Sequence, residues 1–234
     1  MSLKEETFVN LETGVSEKSH DHEAWEPEWI DERFAGLLVC RDAVCGEMVS
    51  MGGRSHVVEY TDYERGERIW EREYEPMFMY PAPPVFPLPE KCPEAVADEL
   101  NKSFALFWFD TGSCANRLRA AVEALLTERK IPRTIVNKHG KRERISLHAR
   151  IERFKQSDMR SADYILAIKW IGNAGSHARL DELSRSDLLD GFELFEHVIE
   201  LMYVQHERHL KKLARNINLR RGRPVRPKSA FVWK

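Results

Sequence analysis

No stretch of this sequence stays apolar for long. The densest run is Phe104 to Phe109, far short of the roughly 18–20 residues that cross a bilayer, so no membrane-spanning helix is expected. Cysteine is scarce: Cys40, Cys45, Cys92 and Cys114 are too few and too scattered for a disulfide framework. A reducing cytoplasm is the expected location. The opening Met-Ser-Leu-Lys-Glu-Glu has neither the basic start nor the apolar centre of a secretory leader, and none is expected. Cys40-x4-Cys45 lacks the second ligand pair that a tetrahedral zinc site needs, so no metal is expected, and no cofactor either.

Acids are nearly missing from one end. Residues 207–234 carry ten Lys/Arg against a single acid, Glu207, a charge of +9 that leaves −11 on residues 1–206 of a chain whose net charge is −2. A basic tail on an acidic body points to a polyanion or to the acidic surface of another copy; a solvated tail is the plainer reading. Within it, Leu219-Arg220-Arg221-Gly222-Arg223-Pro224-Val225-Arg226-Pro227-Lys228 contains Arg-Gly-Arg-Pro, which resembles the core of an AT-hook. In that motif an extended Arg-Gly-Arg enters a narrow A·T minor groove, where negative potential attracts guanidinium groups. Arg220, Arg221, Gly222, Arg223, Pro224, Arg226 and Lys228 are therefore the candidate nucleic-acid-binding residues.

What is present suffices for folding. The chain has 234 residues, 42% of them hydrophobic, enough for one or two domains with a sizeable core. Residues 1–34 are acidic and weakly patterned; apart from Trp25 and Trp29, which have apolar area to pack, they read as flexible. Residues 35–80 alternate like strands, with Gly36 to Cys40, Met48 to Met51, His56 to Tyr60 and Ile69 to Tyr74 as candidates and Gly52-Gly53 as a turn. Six prolines in residues 81–93 make an extended connector and the best domain boundary. Beyond Pro93 the period turns helical. Helices are expected over 94–109, 114–129, 147–154, 161–171 and from about 188, the last capped by Ser184 with Asp187. Residues 132–144 read as a basic loop, 94–206 as a helical bundle, and 207–234 as a basic tail.

The most informative segment is Ala167-Ile168-Lys169-Trp170-Ile171-Gly172-Asn173-Ala174-Gly175-Ser176-His177. With Arg117-Leu118-Arg119-Ala120-Ala121-Val122-Glu123-Ala124-Leu125-Leu126 and the proline run, it resembles an uncharacterised prokaryotic family, also found fused to the motor subunits of type I restriction enzymes. That family in turn is similar to the HEPN superfamily, and the resemblance covers roughly residues 35–205. It implies a HEPN-like helical bundle of four or five helices pairing as a homodimer; with the strand pattern of residues 35–80 the expected fold is α+β, mainly α, the bundle preceded by a small antiparallel β-rich module. Many HEPN domains are metal-independent endoribonucleases whose motif is Arg, a polar residue, three variable residues and His. Asn173 matches the polar residue and His177 the histidine, while the arginine position falls on Gly172. Glycine cannot stabilise charge developing on phosphate. Lys169 offers a cation nearby, without the guanidinium fork.

The residue chemistry leaves three readings of the motif open. His177 can move a proton to or from a ribose hydroxyl, with Asn173 and Lys169 beside it as the catalytic set. The motif can bind without catalysing. Alternatively, Gly172 and Gly175 serve close packing, while Asn173 and His177 satisfy backbone. Arg119 and Glu123 read as an internal ion pair or as support for the motif. The expected function is a non-enzymatic, nucleic-acid-associated accessory protein, in prokaryotic defence or restriction. The alternatives are an endoribonuclease using His177 and Asn173, or a protein-interaction scaffold.

Overall fold

The computed structural model describes residues 1–42, 44–62, 66–174, 183–204 and 214–219. Its first half is a sheet of β1 (Ser2–Leu3), β2 (Val9–Glu12), β3 (Asp31–Val39), β4 (Met48–Asp62) and β5 (Glu67–Tyr80). The strands are antiparallel in the order β1-β3-β4-β5, with β2 pairing the same edge of β3 as β1 does. A short helix, α1 (Gly14–Ser19), is capped where the Thr13 side chain accepts from Ser16 N.

The expectation of a mainly helical protein is overturned. Among the described residues 47% are helical and 25% lie in strands, and the sheet curls into an antiparallel half-barrel. Two misread segments account for the difference. Residues 1–34 were expected to be largely flexible, yet β1 and β2 come from them, held by backbone pairing that leaves only a weak side-chain pattern. Gly52-Gly53 is not a turn. It is the bulged centre of a fifteen-residue strand. A Cβ at Gly53 would lie 2.1 Å from the Glu75 carbonyl oxygen, so glycine is what lets β5 approach there.

The sheet buries little apolar surface. Phe34, Val49 and Val57 are its buried apolar side chains among the described residues. A polar cluster shares that interior: Glu32 Oε2 accepts from Asn10 Nδ2 (2.8 Å), Ser55 Oγ (2.8 Å) and Arg72 Nε (2.6 Å). Burial alone would raise the Glu32 pKa; the three donors outweigh it and hold the carboxyl below its ordinary value.

The second half is helical: α2 (Glu94–Leu106), α3 (Thr111–Glu128), α4 (Leu147–Lys155), α5 (Met159–Ala174) and α6 (Arg185–Tyr203). Asp110 caps α3 by accepting from Ser113 N at 2.8 Å. Ser184 and Asp187 form the expected reciprocal capping box of α6. The spacings that suggested helices are the buried faces: Val96, Leu100 and Phe104 on α2, Leu118, Val122 and Leu125 on α3, Leu188, Phe192 and Phe195 on α6. Full burial of each large side chain contributes about 1.5–3 kcal/mol, so most of the apolar stabilisation resides in this half. Phe86, from the proline-rich connector, joins the same core and meets Phe104 edge-on at 5.3 Å.

Residues expected to be loop hold a hairpin, β6 (Thr134–Val136) with β7 (Arg142–Arg144). Its turn is closed by the Asn137 side chain, which accepts from His139 N and Lys141 N, with Gly140 at φ +73°. Among the described residues no helix is long and apolar enough to cross a membrane.

Candidate functional site

Three helices meet at the motif. α5 continues through Gly172 as far as Ala174, so Lys169 and Asn173 stand four residues apart on one helix. His177, with Gly175 and Ser176, lies outside the described residues. The same is true of Arg220, Arg221, Gly222, Arg223, Pro224, Arg226 and Lys228.

Gly172 is buried where α5 crosses α3. A Cβ placed on it would come within 2.8 Å of Arg119 Cβ and 3.2 Å of the Ala115 carbonyl oxygen. The position has no room for a side chain while the helices keep this spacing. Arg119 extends past the glycine, and its Nη1 donates to Asn173 Oδ1 at 2.8 Å. A guanidinium from α3 therefore stands beside the motif asparagine, although position 172 itself supplies none. The motif glycine and the upstream arginine, some fifty residues apart in sequence, form one packing unit.

Lys169 is 7% exposed, and its Nζ sits 3.3 Å from the centroid of the Trp170 ring. Desolvation, followed by the charge on Arg119, pushes its pKa below the ordinary lysine value. Lys169, Arg119 and Asn173 are thus brought together.

Arg119 and Glu123, expected as an internal ion pair or as support for the motif, each face another partner. Arg119 turns to Asn173, and Glu123 Oε2 faces Arg144 Nη2 at 3.5 Å. Arg144 comes from β7, within the stretch expected to be loop. The Asn-x-x-Gly turn following Ile135-Val136 was the available signal for that hairpin.

Cys40 and Cys45 flank the β3–β4 turn, where Cys40 N donates to the Glu47 carbonyl oxygen and Cys45 N to that of Asp42. All four cysteines are free thiols. Among the described residues no three His, Cys, Asp or Glu side chains come together as a metal site.

The family model described as Domain of unknown function (DUF4145) matches residues 101–219, and that described as Domain of unknown function (DUF8608) matches residues 1–83. No curated protein and no solved structure matches the chain.

Proposed function

The chain belongs to the DUF4145 family, and from its own residues we propose that it is a non-enzymatic, nucleic-acid-associated accessory protein. The observation that carries this reading is the charge separation, ten Lys/Arg against one acid over residues 207–234 on a body of charge −11. Such a tail binds polyanions by counterion release, with affinity that falls steeply as salt rises. Arg220 to Lys228 is the segment assigned to the contact, and Arg221 to Pro224 supplies the AT-hook-like core. One feature of the motif favours a role without catalysis: Gly172 is closed to any side chain.

Kinship with HEPN proteins and with the restriction-enzyme fusions, a place in defence and pairing as a homodimer rest on resemblance, and division of the chain at the 81–93 connector rests on its six prolines. Four unpaired thiols support a reducing cytoplasm.

The test is fluorescence anisotropy with labelled A·T-rich duplex, G·C-rich duplex and single-stranded RNA, comparing the full chain with one ending at His206 at two salt concentrations. Salt-sensitive binding that disappears with the tail supports the reading, and an A·T preference singles out Arg221 to Pro224. Absence of binding at low salt overturns it in favour of a protein-interaction scaffold.

A second reading, an endoribonuclease using His177 and Asn173, is favoured by one observation. Arg119 places a guanidinium 2.8 Å from Asn173, and Lys169 lies one turn away. Cleavage of RNA that is lost in His177→Ala with folding intact supports this reading; cleavage unchanged in that variant excludes it.

A further inference from the structure

Arg150, on α4, is 2% exposed and lines a cleft of about 350 Å³ between α3, the β6–β7 hairpin and the start of α4. Its Nη1 donates to the Glu123 carbonyl oxygen at 3.3 Å, and its Nη2 to Thr127 Oγ1 (2.9 Å) and the Ile131 carbonyl oxygen (3.1 Å). Nε is buried and has no acceptor among the described residues. None of these partners is a carboxylate. A buried guanidinium normally faces a counter-charge, because leaving it unpaired is costly.

The neighbours add positive charge. Arg133 Nε donates to Thr127 Oγ1 at 3.0 Å, so two guanidinium groups meet at one hydroxyl. Arg119 and Arg144 also line the cleft, and the single acid there, Glu123, faces Arg144 at 3.5 Å. Burial first, then the charge of Arg133, lowers the Arg150 pKa, against an opposing effect of the Glu123 carboxylate. Ser146, the N-cap of α4, completes the wall and brings the positive end of that helix to the cleft. The approach is basic too. Residues 129–144 hold seven Lys/Arg and one acid, Glu143.

We propose that this cleft is a phosphate-binding site, taking either a phosphomonoester or a phosphodiester of a nucleic-acid strand between Arg133, Arg144 and Arg150. Arginine forks match the geometry of phosphate oxygens. Thr127 holds two of the forks in place before any ligand arrives. None of Arg133, Arg144 and Arg150 belongs to the 207–234 tail.

Isothermal titration on the full chain tests the assignment, with 5′-AMP and with a short RNA bearing hydroxyl groups at both ends. Three proteins are compared: wild type, R133Q/R144Q, and the tail variant R220Q/R221Q/R223Q/R226Q. Arg133 and Arg144 are exposed, so the cleft variant retains its fold, whereas substitution of Arg150 would endanger it. The expected result is binding by wild type and tail variant alike, weakened roughly tenfold or more in R133Q/R144Q. AMP bound without RNA assigns a free phosphomonoester, and RNA bound assigns the strand backbone. Equal binding by R133Q/R144Q and wild type, or no binding of either probe by wild type, overturns the proposal. RNA binding lost only in the tail variant, with AMP bound equally by R133Q/R144Q and wild type, overturns it while leaving the tail reading intact.

Discussion

Arg185, the first residue of α6, reaches across to Glu75 on β5, with Nη1 3.2 Å from Oε1. The same guanidinium donates through Nη2 to the Trp108 carbonyl oxygen at 2.8 Å. Glu75 also accepts from Arg54 Nε at 2.6 Å, and that arginine, ahead of Arg185, holds its carboxyl below the usual carboxylate range. One side chain thereby ties the edge of the sheet to two helical segments. Arg185→Ala is expected to cost about 1–2 kcal/mol, because it strands a carbonyl and half of a carboxylate's partners. Chemical denaturation of Arg185→Ala, Glu75→Ala and the double variant checks this. Non-additive losses confirm that the two residues act on each other, and strictly additive losses refute it.

Gly172→Ala is expected to push α5 away from α3. With Arg119 Cβ 2.8 Å and the Ala115 carbonyl oxygen 3.2 Å from the new methyl group, the cost is about 1–3 kcal/mol. A melting-temperature comparison reads it directly. Gly172→Arg, which writes the motif arginine back into the sequence, should be more destabilising still and should gain no RNA cleavage. A stable Gly172→Arg protein would show that the helices can separate without penalty.

Acid should loosen the sheet through Glu32. Its folded pKa lies below the ordinary glutamate value, so its contribution is fully present above that value and is lost as pH falls through the folded pKa. Glu32→Gln should lower stability near neutrality and flatten the acid limb of the curve. Melting temperatures between pH 7 and pH 3 decide the matter. An acid limb as steep in the variant as in wild type would place the titrating group elsewhere.

The cysteines should differ in reactivity. Burial pushes the Cys114 thiol up to about 11, against a smaller opposing effect from the Ser103 hydroxyl, so almost no thiolate forms there at mildly alkaline pH. Cys45 is exposed. Brief iodoacetamide treatment of the native protein, followed by peptide mass spectrometry, should find Cys45 alkylated and Cys114 intact. Early modification of Cys114 would mean that the α2–α3 contact opens readily.

The sequence revealed helices better than strands, for a physical reason. In the helical half a single stripe faces a continuous apolar core, so Val96, Leu100 and Phe104 announce their spacing. The sheet is half solvated and half polar inside; Glu32 and Ser55 occupy positions where a strand pattern leads one to expect valine or isoleucine. The strand candidates were therefore too short, and the glycine bulge passed for a turn. At the candidate site, the resemblance drew attention to Gly172 and Asn173. The partnership of Arg119 with Asn173 depends on how α3 and α5 cross, which no spacing along the chain encodes. Arg150 was invisible, because a lone arginine in a basic stretch looks like solvent-facing charge until the fold closes over it.

The proline-rich connector ends up doing more than joining two halves. Phe86 is 4% exposed and packs against the rings of Phe104 and Phe192 as one of the helical core's own residues. The helical half consequently begins earlier than its first helix. A fragment started at Glu94 would leave an aromatic-sized hole at the centre of its packing, whereas one started before Val85 would carry its own plug.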